Sequence, residues 1–426
     1  MSIVEKKNSQ TFQDSDNVYK PSSEREASNI IKEIYNKNLS IEIIGTNSKN
    51  FIGNKLQCTK VLDLSSLSGI VEYLPEELYI KVKACTPISL IEETLEKNNQ
   101  QLAFEPIDFG YIKDFNANKG TAAGQLSCNY SGSRRFIAGS IRDHVLGFRG
   151  INGKGDIIKS GGVVVKNVTG YDLSKLVTGS FGTLAALTEI TFKVLPKKDS
   201  INTVVIYSED NKTVANFFNL LLSSSNEISG AVYIPNEPKN NNYTINREKI
   251  LKFNDLKYQE PFLALRIEGS KKSIEERGKE IFKELQLKKM KTSILDFYQS
   301  KLFWEKINNI ELFSGTKNNL LRVVIPPAKS LDLMEYLKNN FKYYIDWCGS
   351  LFWIEVLDKE NEKIKEIKEI ILRLEGYLTI IKNSENLSSD IDLFTINDTR
   401  LLLSQKIKES FDPKKLLNPG KMYRGL

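Results

Sequence analysis

The sequence predicts an α+β fold in two domains, on three observations. Its 426 residues suggest two or three domains at about 150 residues each. Fourteen of the 25 glycines fall between Gly110 and Gly182, a density that marks turns or backbone lining a ligand. Beyond Pro196-Lys-Lys-Asp-Ser200 glycine becomes sparse, and strand-like runs alternate with helical ones. That alternation predicts an antiparallel sheet with helices packed on it, and a domain boundary near residue 198.

The elements follow in order. Residues 1–17 read as a polar arm, with Val18-Tyr19 as a short strand. Pro21 and the Ser23-x-x-Glu26 pattern open a helix that places Ile30, Ile31 and Ile34 at helical spacing. Leu39 to Ile44 alternates as a strand and runs into Gly45, completing a β-α-β opening. Strands are predicted at 60–64, 69–73 and 78–84, then a helix over 87–98 with Pro87 in its first turn. Three more strands, 145–152, 156–159 and 184–195, lie among the glycines. Beyond the boundary, strands are predicted at 204–207, 262–268, 322–325 and 351–356. Helices are predicted over 213–222, 272–287, 330–339, 362–375 and 399–411, and 236–242 reads as a polar loop.

Composition excludes several classes. Hydrophobic residues make up 40% and charged residues 27%, a globular rather than a disordered balance. No apolar run approaches the roughly 20 residues that span a bilayer, and the polar Met1 to Gln10 stretch predicts no signal peptide. His144 is the single histidine, too few for a histidine-rich metal site. Cys58, Cys85, Cys128 and Cys348 include no Cys-x-x-Cys pair, so neither an iron–sulfur cluster nor a zinc ribbon is expected. They read as reduced thiols of a cytosolic protein. The net charge is +7, and residues 121–200 carry 11 Lys/Arg against 5 Asp/Glu. Arg134, Arg135, Arg142 and Arg149 cluster there: either guanidinium forks for phosphate or carboxylate, or a solvated basic face. The interleaved aromatic and basic pattern of a nucleic-acid surface is absent.

No Gly-x-Gly-x-x-Gly follows a strand, and Gly153-Lys154 is not part of a Walker loop. Two other stretches read as anion cradles. Gly45-Thr46-Asn47-Ser48-Lys49-Asn50 follows an apolar strand, where a tight turn exposes successive amides as a nest for phosphate oxygens; a plain strand connection is the alternative. Gly120-Thr121-Ala122-Ala123-Gly124-Gln125 lets a flat or charged ligand touch the main chain, or else packs a helix on a strand. Two such loops in one domain favour a diphosphate ligand.

With these come Gly139-Ser140-Ile141-Arg142-Asp143, Lys166 to Leu173, Gly179-Ser-Phe-Gly-Thr-Leu184 and the C-terminal Asp412-Pro…Asn418-Pro-Gly-Lys421. In this order the segments resemble the FAD-binding domain of the p-cresol methylhydroxylase and vanillyl-alcohol oxidase superfamily, over about residues 18–198 and 399–426. More narrowly, Phe104-Glu-Pro…Phe109-Gly110, Ser131-Gly-Ser-Arg-Arg135 and Arg142-Asp-His-Val-Leu-Gly147 resemble the E-type FAD-binding subunits of bacterial glycolate oxidases.

The resemblance implies a two-subdomain FAD-binding domain (18–198), a smaller α/β cap with an antiparallel sheet (199–390), and a segment (391–426) returning to the FAD domain. It implies non-covalent FAD, with Gly45 to Asn50 on the diphosphate and Gly120 to Gln125 on the ribityl chain and flavin. Ser140, Ile141 and Arg142 would border the flavin, Thr188 and Glu189 would lie toward the adenine, and Asn418 and Lys421 would return to the flavin region. It implies partners too: a metal-bearing flavin subunit, an iron–sulfur subunit, and a small 2-hydroxy acid substrate, in the cytoplasm or at the inner membrane through the complex. The related D-type subunits carry a histidine-rich metal motif that has no counterpart here, so activity by this chain alone is not expected and no catalytic residue is assigned; a self-sufficient FAD-dependent 2-hydroxy acid dehydrogenase and a non-catalytic flavin-stabilised scaffold are the alternatives. His144 reads as a packed or surface histidine rather than a flavin attachment or base. Cys128 reads as a small buried thiol, and Trp304, Trp347 and Trp353 as core of the second domain.

Overall fold

The structure, a computed structural model, describes residues 17–113, 120–163, 170–238, 243, 247–287 and 289–426. Most of the arm, residues 166–169 of the Lys166–Leu173 run and residues 239–242 of the polar loop lie outside the described residues.

The chain opens with a helix, Glu24–Lys37, that buries Ala27, Ile30, Ile31 and Ile34. Ser23 caps it by accepting the Glu26 amide, as the pattern predicts. The Glu26 carboxylate reaches one residue further back, accepting from the Ser22 amide and hydroxyl at 2.8 and 2.9 Å. The helix packs on a parallel three-stranded sheet in which Lys60–Asp63 lies between Val18–Tyr19 and Ile41–Ile44. A second, antiparallel sheet has the order Ile70–Leu74, Tyr79–Lys83, Ala186–Lys193, Val145–Ile151, Ile157–Gly161. The helix Ile88–Glu96 buries Ile88, Ile91 and Leu95 in the core of that sheet.

The remaining large sheet is antiparallel throughout, with eight strands in the order Thr292–Leu295, Ser200–Tyr207, Phe262–Gly269, Ile228–Ile234, Lys342–Asp346, Leu351–Val356, Asn319–Val324, Tyr377–Lys382. Four of these strands were not expected: Ile228–Ile234, Thr292–Leu295, Lys342–Asp346 and Tyr377–Lys382. The first and third are buried at every position, so they show no polar alternation to read. The helix Phe297–Asn308, closed by an Asp296–Gln299 capping box, was also not expected.

The halves share one apolar core: Phe109, Tyr130 and Phe181 pack in the same cluster as Trp353 and Phe394. Four buried charges join them as well. Glu105 meets Arg134 at 2.8 Å and Arg266 at 2.7 Å, and Glu268 meets Arg134 at 2.5 Å. Burial opposes ionisation of Glu268, yet Arg266 and Arg134 hold its pKa down near 2.

The last helix, Asp398–Phe411, leads the chain back to the first sheet. Leu416 accepts the Ile41 amide and Asn418 donates its own amide to Ile41, so the segment lies along the free edge of Ile41–Ile44. Lys408 and Asp412 form a buried 2.7 Å ion pair beneath it.

Candidate functional site

A cleft with about 840 Å³ of free space, part of it open to solvent, lies at the C-terminal end of the strand Ile41–Ile44. The loop Gly45–Asn50 forms one wall, with Asn47 in the left-handed conformation at φ 57°. Among the described residues the amides of Thr46 and Ser48 have no hydrogen-bond partner. Such amides can bind the oxygens of an anion.

The facing wall is the N-terminal turn of a short helix, Ala122–Cys128. Thr121 caps it by accepting the Gly124 amide at 3.2 Å. Two glycines let the walls approach. Gly120 has φ +73°, and a Cβ there would sit 2.5 Å from Ser48 Oγ and 2.8 Å from Lys49 Nζ. A Cβ on Gly124 would meet Thr121 Oγ1 at 3.2 Å, with Lys49 Nζ at 4.0 Å. The Lys49 ammonium thus lies between the two loops, and desolvation lowers its pKa while Cys128 and Asp108 oppose the shift.

Cys85, Cys128, Phe181, Leu187, Asn418 and Lys421 close the cleft. Asn418 clamps it, accepting the Ile43 amide at 2.7 Å and donating to Phe181 O at 2.8 Å. Lys421 donates to Asn50 O at 3.2 Å. Burial pushes the Cys85 thiol up to about 12 and Cys128 up to about 11, so both remain neutral and poor nucleophiles.

The structure therefore brings together Gly45, Thr46, Asn47, Ser48, Lys49, Asn50, Thr121, Ala123, Gly124, Asn418 and Lys421 on one cleft, with Gly120 against Ser48 and Lys49. Ala122 is buried in the core, and Gln125 is buried with its Nε2 donating to Ile107 O. Ser140, Ile141 and Arg142 do not line it. Ser140 caps a four-residue helix, Ile141 is core, and Arg142 Nε donates to Lys175 O at an exposed position. Thr188 and Glu189 do not line it either. Leu187 faces the cleft, and side chains alternate along a strand, so Thr188 turns away to donate to Glu24 at 2.6 Å. Arg149 binds that same carboxylate, and Arg134 is held by Glu105 and Glu268, which spends two of the four clustered arginines on structure.

His144 is 2% exposed, bonded through Nε2 to Ala138 O, edge-on to Phe104 and not part of the cleft lining. Desolvation lowers its pKa. The three tryptophans are buried in the second half of the chain. Phe181 and Leu187 were not singled out from sequence; Phe181 is the one bulky residue inside the Gly179–Gly182 turn, at φ 52°, which was its only signal.

Residues 15–161 match the family model described as an FAD binding domain. The fold is similar to that of p-cresol methylhydroxylase with substrate bound, at TM-score 0.65 and 15% identity over 95% of this chain and 88% of that one. It is equally similar to a 4-ethylphenol oxidase from Gulosibacter chungangensis in its isoeugenol complex, at TM-score 0.66 and 12% identity over 96% and 89%. The fold is thus like that of p-cresol methylhydroxylase, the family match makes the chain a flavoprotein, and the small-residue walls and unpaired loop amides fit its FAD. Glycolate oxidase subunit GlcE of Escherichia coli (strain K12) is 30% identical over 394 residues, 90% of this chain and 93% of that one. Glycolate oxidase subunit GlcD of Bacillus subtilis (strain 168) is 39% identical over 90 residues, 21% and 19% of the two chains. The chain belongs to the glycolate oxidase GlcE family, a family of FAD-linked oxidoreductase subunits. Among the described residues no helix is long and apolar enough to cross a membrane.

Proposed function

We propose that this chain is the FAD-carrying subunit of a glycolate-oxidising complex, acting with a metal-bearing flavin subunit and an iron–sulfur subunit. Similarity to the E. coli subunit along nine-tenths of the chain carries this reading. The cleft supports it. Thr46, Ser48 and Lys49 would hold the diphosphate, Thr121, Ala123 and Gly124 would line the ribityl chain and flavin, and Asn418 and Lys421 would close the pocket. When bound, FAD supplies a two-electron acceptor for the hydride of a 2-hydroxy acid. The residues of this chain would orient that group and shield it from water. The neutral thiols of Cys85 and Cys128 and the remote His144 favour non-covalent binding.

Orienting a small 2-hydroxy acid needs a base near the hydroxyl as well as a fixed cation for its carboxylate. The one imidazole lies outside the cleft, so the base is assigned to the metal-bearing partner. Onward electron transfer is assigned to the iron–sulfur partner, because the four cysteines form no cluster motif. A cytoplasmic location fits this reading. The test is reconstitution: dye reduction with glycolate, each subunit omitted in turn. Turnover should require all three subunits, and fast turnover by this chain alone would overturn the assignment.

A further inference from the structure

Arg322 stands apart from the other buried arginines. Arg266 binds Glu105 and Ser229, Arg134 binds Glu105 and Glu268, and Arg247 donates to the carbonyls of Tyr258, Pro235 and Glu260. Among the described residues the Arg322 side chain has no hydrogen bond and no ion pair, and its Nε is sealed from solvent without a partner. It rests on two aromatic faces, its guanidinium 5.1 Å from the Tyr130 ring centre and 4.9 Å from that of Trp347. The side chain as a whole is half-buried, so it keeps an open side.

A second orphan sits beside it. The Tyr130 hydroxyl is buried and has no hydrogen-bond partner, and burial raises its pKa, so it stays a phenol able to donate. Tyr130 comes from the first half of the chain and Arg322 from a central strand of the eight-stranded sheet, so two unpaired donors meet across the junction. Arg135 adds a further cation, 4.3 Å from the Trp347 ring centre. The nearby Asp346 is engaged elsewhere, accepting from Ser133 Oγ and its neighbour's amide. Tyr130 also packs edge-on against Phe181, which lines the cleft, so the orphan pair lies just past the cleft's inner end.

Buried polar groups are nearly always partnered, and here the sealed guanidinium Nε and the buried phenol both lack a partner while the rest of the fork stays open, so the arrangement is one a bound anion completes. The planar fork pairs bidentately with carboxylate or phosphate alike, and the 2-hydroxy acid of the proposed function supplies the carboxylate, with the phenol as a further donor. We propose that Arg322 and Tyr130, with Arg135 at the rim, form a subsite for the carboxylate of a small organic acid beside the flavin pocket. This rests on the reading that the chain carries FAD, and it gives the chain its own contact with the acid.

The experiment titrates the FAD-loaded full chain with glycolate, oxalate and inorganic phosphate, followed by calorimetry and by the flavin difference spectrum. Glycolate and oxalate should bind saturably and perturb the flavin, and phosphate at least tenfold more weakly. Arg322→Gln should weaken oxalate binding at least tenfold, and Arg322→Lys, which keeps the charge and loses the fork, severalfold. FAD content should stay unchanged in both. Should the glutamine variant fail to fold, the lysine variant decides. No carboxylate binding to loaded wild-type protein, or equal binding by the variants, overturns the subsite while leaving the FAD reading intact. A chain that holds no FAD overturns the reading beneath it.

Discussion

At the scale of single residues, Gly120 and Gly124 set how closely the two loops approach. Gly120→Ala should cut FAD occupancy sharply, because its φ of +73° disfavours any side chain and the new Cβ would meet Ser48 and Lys49. Gly124→Leu should lose more FAD than His144→Ala, since leucine fills the wall beside Lys49 while His144 is outside the cleft. Flavin absorbance per protein in the purified variants reads both effects, and the reverse order would move the site away from this wall. Asp346 supplies a pH signature. Burial raises its pKa to about 6, against the pull of Ser133, the Trp347 amide and Arg266, with Glu105 adding to the rise. A folded-state pKa above the unfolded one favours the protonated fold, so its stabilisation is complete below about pH 4 and is lost as pH rises through 6. Asp346→Asn should therefore gain on wild type between pH 4 and 7, by on the order of 3 kcal/mol in urea denaturation. A pH-independent difference would place the pKa near its ordinary value.

At the scale of elements, burial alone did not decide legibility: Leu351–Val356 is buried throughout and was expected, whereas the half-solvated Thr292–Leu295 and Tyr377–Lys382 were not. The helix Glu24–Lys37 and the strand Ile41–Ile44 are half-solvated, and Tyr79–Lys83 alternates apolar residues with lysines, so their spacing and the helix cap showed in the sequence. Ile228–Ile234 and Lys342–Asp346 are buried on both faces, and the second carries a lysine that reaches Leu312 O and an aspartate that binds Ser133. A buried strand with charged ends reads as loop until its partners are known. The loops of the site were legible because small residues leave a composition trace. The sides that Ser140–Arg142 and Thr188 present were not, because facing depends on neighbours distant in sequence. The four-charge junction is equally long-range, and it makes a prediction. Glu105→Gln leaves Arg134 and Arg266 short of a buried carboxylate and should cost about 3 kcal/mol in denaturant unfolding. A cost below about 1 kcal/mol would mean that Glu268 alone suffices for both arginines.

At the scale of the whole molecule, the C-terminal segment lies along the first sheet, where Asn418 holds the strand that leads into the loop Gly120 faces and Lys421 holds that loop itself. The cleft is thus closed only when both ends of the chain are in place, which links cofactor binding to the completed fold. The most direct measurement denatures the purified chain, passes it through a filter that retains protein, and assays flavin on both sides. The account predicts close to one FAD per chain, all of it in the filtrate. Flavin retained with the polypeptide would contradict non-covalent binding, and a colourless chain that refuses added FAD would contradict the site itself.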